Sequence, residues 1–257
     1  MTPARMVEAV AAAARALLVG RRITVRAGQH AVRLRLAHVE ASAGSLAALT
    51  GQLEALHLAA EDLQWADRRL RRLSASSAHP YVRLGVGTVT LGAAPVTVEA
   101  VVAAGDLQSW AGERARRVAL TIGDDGVLQA RSARRPGLWC FCFALHAAGD
   151  AELRVLPRAL LLLDRRLPLG RLPARSVRVA EVPPGFVFTE VHAQPGQLRV
   201  CGVLPQWRRT VSAATPADLL RRIRSGQTDL ELPGDAVLDE YGEYAEAAPQ
   251  EADNRGG

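Results

Sequence analysis

The sequence contains no lysine. All 32 of its basic residues are arginine. We read this as GC-rich codon usage, with one physical consequence: every cation is a planar fork suited to carboxylate or phosphate. Aromatic residues are scarce at 4%. Stacking platforms and RNP-type motifs are therefore missing, which argues against nucleic acid as a partner. There are three cysteines, an odd number. Cys140 and Cys142 share a face if they lie on a strand, with Cβ atoms roughly 6–7 Å apart, too far for an easy disulfide. No zinc spacing occurs, so the expectation is small buried hydrophobes in a reducing compartment. No run reaches the 18 or so uncharged apolar residues of a membrane helix. The apolar N-terminus is broken by Glu8 and Arg15, and no cleavage site follows. This points to a cytoplasmic protein.

Reactive motifs are equally lacking. The six histidines (His30, His38, His57, His79, His146, His192) show no HExxH or similar ligand spacing. GxSxG and P-loop patterns do not occur, and Gly85-Val86-Gly87 leads into a strand rather than a helix. Glu61-Asp62 and Asp124-Asp125 are adjacent pairs, which on a strand point to opposite faces, and the second is turn chemistry. The expectation is no enzyme activity, no catalytic residues, no metal site and no cofactor.

What the chain does have is apolar bulk and an uneven charge. With 257 residues and 49% hydrophobic composition it can bury a substantial core. The net charge of +6 divides into −6 on residues 233–257 and +12 on the remainder. A basic body with an acidic tail suits an anionic partner. The Arg pairs (21–22, 68–69, 71–72, 116–117, 134–135, 165–166 and 208–209) are scattered rather than gathered in a run.

The stretch from Arg135 to Gly202 is the most informative. Its opening run, Leu138-Trp139-Cys140-Phe141-Cys142-Phe143-Ala144-Leu145, carries no charge and does not alternate apolar with polar, so both faces are expected to meet apolar surroundings. Leu160-Leu161-Leu162-Leu163 and Phe186-Val187-Phe188 follow. On a strand, Trp139, Phe141 and Phe143 fall on one face and the cysteines on the other.

Around it, residues 3–18 pattern as an amphipathic helix with Met6, Val10 and Leu17 on one face. Residues 22–27 and 32–36 read as a hairpin with one apolar and one arginine face. A short helix is expected over 45–52, then strands over 53–59, 62–66 and 69–76, 82–91 and 96–102. Asp106 is placed to cap a helix to about Arg114, and a hairpin spans 118–130. A last helix has Thr215 as N-cap, Pro216 at N1 and Gly226 as its stop. The composition beyond Pro233 is that of a disordered tail. The fold class is α+β: a mostly antiparallel sheet with a few helices.

Several stretches resemble the LmeA-like family of bacterial phospholipid-binding proteins. They are Leu49-Thr50-Gly51-Gln52-Leu53-Glu54-Ala55-Leu56, Ala94-Pro95-Val96-Thr97-Val98 with Asp106-Leu107, and Leu172-Pro173-Ala174. Pro183-Pro184-Gly185-Phe186, Thr189-Glu190-Val191, Pro195-Gly196-Gln197-Leu198 and Val200-Cys201-Gly202 complete the pattern, which covers about residues 20–210. The resemblance implies a tubular lipid-binding architecture, in which a strongly curved sheet wraps the N-terminal helix and leaves an apolar groove for acyl chains. Family members are exported, whereas this chain reads as cytoplasmic.

The expected organisation is a lipid-binding-like domain over 1–212, a helical appendage over 213–232 and an acidic tail over 233–257. The expected groove residues are Met6, Val10, Leu17, Trp139, Phe141, Phe143, Leu160, Leu162, Phe186 and Phe188. Arg158, Arg165, Arg166 and Arg171 flank the leucine run and are the expected head-group ligands. The expected function is non-enzymatic binding of a phospholipid or other acyl-chain ligand, by a carrier or by a protein working at a membrane surface. The alternative is a basic interaction module for an anionic macromolecule such as nucleic acid. A weaker third reading is a structural partner protein that docks through the 215–225 helix or the tail.

Overall fold

Helix α1 (Pro3–Leu18) forms over the predicted amphipathic segment and ends where Gly20 takes a φ of 82°. It leads into a long run of strands. We analysed a computed structural model, which describes residues 3–27, 30–42, 52–66, 68–110, 117–163, 165–179, 182–212, 214–225 and 228–232. The strands are β1 (Arg22–Ala27), β2 (His30–Ser42), β3 (Ala55–Trp65), β4 (Arg68–Ser77), β5 (Pro80–Leu84), β6 (Thr88–Ala93) and β7 (Val96–Ala103). A 3-10 turn and the short helix α2 (Leu107–Trp110) come next. Then follow β8 (Val118–Ile122), β9 (Leu128–Ser132), β10 (Trp139–Ala147), β11 (Gly149–Asp150), β12 (Glu152–Leu162), β13 (Arg165–Pro168) and β14 (Arg175–Arg178). The chain closes with β15 (Val187–Gln194), β16 (Gln197–Leu204), β17 (Trp207–Ser212), helix α3 (Thr215–Arg224) and β18 (Asp229–Leu232).

Three sheets result. The largest has nine strands in the order β11-β15-β16-β7-β4-β3-β2-β1-β18. The second runs β13-β12-β10-β9-β8, with β14 also on β12, and the third is β17-β6-β5. Every pairing is antiparallel except β1 with β18. The architecture is mostly antiparallel β with a few short helices.

Residues paired directly across neighbouring strands share a face, so the registers sort the large sheet into two sides. One side carries Ile23, Leu34, Leu36, Val39, Leu58, Leu73, Ala75, Val98, Ala100, Leu198, Val200 and Val191. The other carries Arg22, Arg35, Glu61, Arg72, Arg199 and His192. This alternation of apolar and polar residues is what a sheet with one solvated face requires.

The apolar side is covered in two places. At the β1–β2 end, α1 and α3 lie on it: Ala11, Ala14, Leu18 and Ile223 join Ile23 and Val39 in one buried cluster, with Val10 and Leu17 packed beside them. At the other end the second sheet stacks on β7, β16 and β15 through Val102, Leu107, Leu128, Phe143 and Leu198. A neighbouring cluster joins Phe186, Phe188 and Leu204. The third sheet has its own small core of Leu53, Val82 and Val89.

Segment 213–232 supplies α3, whose Ile223 is only 2% exposed in the α1 cluster, and β18, which covers the free edge of β1. The helix begins one residue earlier than predicted. Ala214 occupies the cap position without a side-chain cap, which puts Thr215 at N1.

Other expectations shift as well. The predicted break between 53–59 and 62–66 is absent: β3 runs straight through, and Asp62 takes a φ of 52° at an irregularity in the pairing with β2. The extra residue is absorbed as a bulge, which bends the strand without ending it. The single strand predicted over 82–91 is instead the hairpin β5–β6, closed by Gly85–Gly87 with Gly87 at a φ of 68°. The predicted 45–52 helix and the 233–257 tail lie outside the described residues, apart from Gln52, which forms an isolated bridge to Tyr81. The helix after Asp106 is described only to Trp110.

Gly202 is held by close approach. An added Cβ would fall on the ring of Phe186. Gly202→Ala should therefore displace Phe186 from its cluster and lower stability by about 1–3 kcal/mol, the usual effect of overpacking. Leu18→Ala, at a residue 1% exposed, should lower it by about 2–5 kcal/mol. Urea unfolding of both variants checks these values.

Candidate functional site

Strand β10 is where large side chains are most crowded. Its alternation puts Trp139, Phe141 and Phe143 on one face, and Cys140, Cys142 and Ala144 on the other. The register with β12 sets Leu162 opposite Trp139 and Leu160 opposite Phe141. The next register sets Leu167 opposite Leu160 and Arg165 opposite Leu162. Five predicted groove residues, Trp139, Phe141, Phe143, Leu160 and Leu162, therefore fall on one face of two adjacent strands.

That face changes character along its length. Phe143 is buried among Leu128, Val102 and Leu198 at the contact between the sheets. Phe141 stacks on Phe143 with ring centroids 5.6 Å apart and is half-buried. Trp139 and Leu160 are half-buried but belong to none of the buried clusters. Leu162 is 42% exposed and Leu167 46%. The second sheet thus projects beyond the sandwich and carries an apolar strip that passes from core to solvent.

Of the predicted head-group arginines, Arg165 and Arg166 lie at the outer end of this strip, while Arg158 and Arg171 lie further along β12. Arg165 faces Leu162 across the β12–β13 pair, and Arg166 faces Leu161 on the opposite side of the sheet. The backbone carbonyl of Arg158 accepts from Leu169 N–H, while Arg171 sits in the turn closed by Leu172 N–H to Leu169 O. All four are exposed, and none enters an ion pair among the described residues.

The remaining groove residues lie elsewhere. Phe186 and Phe188 meet edge to face, with centroids 5.1 Å apart, in the cluster with Leu204. Val10 and Leu17 pack against β1 and β2 under α1. Met6 lies on α1, and its side chain is outside the described residues. The nine described residues therefore separate into one strip and two cores. Spacing alone does not predict this, because which cluster a strand face joins is decided by which sheet stacks on it.

The second face of β10 answers a question raised by the uncharged run. Among the described residues no helix lies on it. Cys140 is buried by its neighbours in the same sheet, including Gln129, and its sulfur is 3.9 Å from Gln129 Oε1. Small side chains suffice on this side because adjacent strands shield them. The Cys140 and Cys142 sulfurs lie 4.0 Å apart, closer than the predicted Cβ separation suggests, and all three cysteines are free. Burial pushes the Cys142 thiol up, reinforced by the charge of Cys140, and burial likewise raises Cys201. Both are held away from the reactive thiolate form.

Sequence reasoning missed a second feature. A cavity of about 640 Å³ opens where β1 to β4 bend at the Asp62 bulge. Its lining includes the aliphatic Ile23, Leu34, Leu63 and Leu70, and Arg22, Arg33, Arg35, Arg69 and Arg71. Arg35 is engaged by Glu61 and, at 3.5 Å, by Asp62. The arginine face of the β1–β2 hairpin was the available signal, but only the register shows that β4 adds to it.

A smaller cavity of about 390 Å³ separates β10 from β15. Its lining includes Glu190 and His192, whose Nε2 and Oε1 atoms are 2.8 Å apart. The hydrogen bond from His192 holds the Glu190 carboxyl below the usual carboxylate range. Comparison with protein-family models, with curated proteins and with solved structures finds no match to this chain. Among the described residues no cluster of His, Cys, Asp and Glu is arranged to hold a metal ion, and no helix is long and apolar enough to cross a membrane.

The burial gradient along the strip predicts a stability contrast. Phe143→Ala should cost about 3–5 kcal/mol. Leu162→Ala, at a side chain still 42% exposed, should stay within about 1 kcal/mol of the parent protein. Equal losses in a denaturant series would show that the strip is core along its whole length.

Proposed function

We propose that this chain is a non-enzymatic lipid-binding protein that holds a phospholipid or another acyl-chain ligand, as a carrier or at the cytoplasmic face of a membrane. The observation that carries the reading is the apolar strip Phe141–Leu160–Trp139–Leu162, uncovered at one end and followed there by arginines that no ion pair among the described residues engages. An acyl chain laid along it gains about 0.8 kcal/mol per buried methylene, so affinity needs no catalytic group. Arginine at the open end offers a phosphate two parallel hydrogen bonds. In this reading the large sheet curls about α1 in the tubular lipid-binding manner, and the strip forms one wall of an elongated groove. The resemblance to the LmeA-like family supports the same architecture.

Native mass spectrometry of the purified protein, with organic extraction of whatever accompanies it, tests the proposal. The expected result is a phospholipid at close to one per chain. A clean apo mass with no uptake from added liposomes would sink it. Trp139→Asp should reduce lipid retention far more than it lowers the unfolding midpoint, because Trp139 is half-buried and lies outside the buried clusters. Parallel loss of both would count against the strip.

A second reading has its own observation. Arg22, Arg33, Arg35, Arg69 and Arg71, contributed by β1, β2 and β4, line the larger cavity. An arginine field of this kind suits an anionic macromolecule. It predicts retention on heparin or DNA at low salt that collapses at moderate salt. Flow-through at low salt removes this reading and leaves the lipid reading untouched.

A further inference from the structure

Nine large hydrophobic residues are markedly exposed among the described residues, and four of them, Leu138, Leu162, Leu163 and Leu167, lie at one end of the second sheet. The structure holds them together. Leu163 N–H donates to Leu138 O, Leu162 pairs with Trp139, and Leu167 lies one strand further out, opposite Leu160. Leu163 is the extreme case. It is 68% exposed and occupies the turn between β12 and β13 at a φ of 47°. A left-handed turn position favours glycine or asparagine. A leucine there is unfavourable twice, in backbone conformation and in solvent exposure. Such outliers mark functional positions.

Among the described residues the charge around the patch is one-signed. Arg134, Arg135, Arg165 and Arg166 are all exposed there, and no ion pair among the described residues engages them. Trp139, half-buried at the same end, has the amphipathic ring that settles at a lipid–water boundary.

We infer that this end of the second sheet is a docking surface for an anionic phospholipid bilayer. Leu163 and its neighbours enter the acyl boundary while the arginines engage lipid phosphates. The inference deepens the lipid-binding reading, since the same end of the sheet is where the apolar strip opens. The bilayer would then be both the docking partner and the source of the ligand. Charge complementarity selects the occupant. A second copy of the chain would bring a second set of unpaired arginines against the first, whereas an anionic surface neutralises them.

The test is sedimentation of the full chain with vesicles of phosphatidylcholine alone and of phosphatidylcholine mixed with phosphatidylglycerol. Binding is expected only with the anionic lipid, weakening as salt rises. Leu163→Gly should reduce it about tenfold or more, from the lost burial of one leucine. The paired change Arg165→Glu with Arg166→Glu should reduce it by at least about fivefold per arginine. Leu163→Gly also relieves the left-handed conformation, so its unfolding midpoint should hold or rise. A purely structural leucine would lower it.

Equal binding by parent and variants overturns the inference, as does equal binding to neutral and anionic vesicles. A dimer that Leu163→Gly converts to monomer in light scattering also overturns it, because the patch would then be covered by a second copy. Lipid retention, measured separately by native mass spectrometry, keeps the two proposals apart. A lipid-loaded parent protein that ignores vesicles overturns the docking surface and leaves the groove. An apo protein whose vesicle binding depends on Leu163 supports the docking surface and removes the groove.

Discussion

Nine strands joined edge to edge create one apolar face that no single element of this chain can cover. Eight inter-strand spacings of about 4.8 Å make the face about 38 Å across. A helix is about 10 Å wide, and five strands stacked face to face cover about 19 Å. The chain uses both: α1 with α3 at the β1–β2 end, and the second sheet on β7, β16 and β15. On these widths a narrow band over β3 and β4 stays thinly covered. Leu58 is 38% exposed there, and Leu73 and Ala75 are half-buried. The need to cover that face explains why α3 and β18, at the far end of the chain, return to β1.

The second sheet meets a different constraint. It is pinned to the large sheet by Phe143, Leu128 and Val155, and β10 and β12 are longer than that contact. Beyond it the same side of the sheet still carries large apolar residues. Phe143 and Leu162 belong to one pattern and differ only in whether anything lies opposite. Core and candidate site are continuous here, which is why substitutions along the strip should grade from structural to functional without a sharp boundary.

How much of this was legible in the sequence depends on the range of the interaction. Local signals read well: α1 begins and ends where predicted, the 118–130 hairpin closes over residues 123–126, and Cys140 and Cys142 lie on the face opposite Phe141 and Phe143. Single-residue irregularities did not. Asp62 carries no glycine-like signature, yet it takes a left-handed φ and keeps β3 whole. The glycines at 85 and 87 fall inside the strand predicted over 82–91, whereas two of them within three residues suffice to reverse the chain. Nor does periodicity say which sheet a face will meet. Phe188 and Phe143 have the same local pattern but belong to different clusters, a choice made by strand order across the sheets.

The arginines at the exposed end of the second sheet have a second consequence. β13 is an edge strand beside exposed Leu162 and Leu167, the combination that invites strand addition and aggregation. Its four residues are Arg165, Arg166, Leu167 and Pro168. Two charges, a proline and short length are each devices that stop another strand from pairing with an edge. None of them hinders a lipid surface, which needs no backbone hydrogen bonds from its partner and welcomes the guanidinium groups. The edge is closed to protein strands and, in the proposed lipid-docking reading, open to phosphate, so the leucines beside it can remain uncovered without turning the molecule into a template for its own polymer.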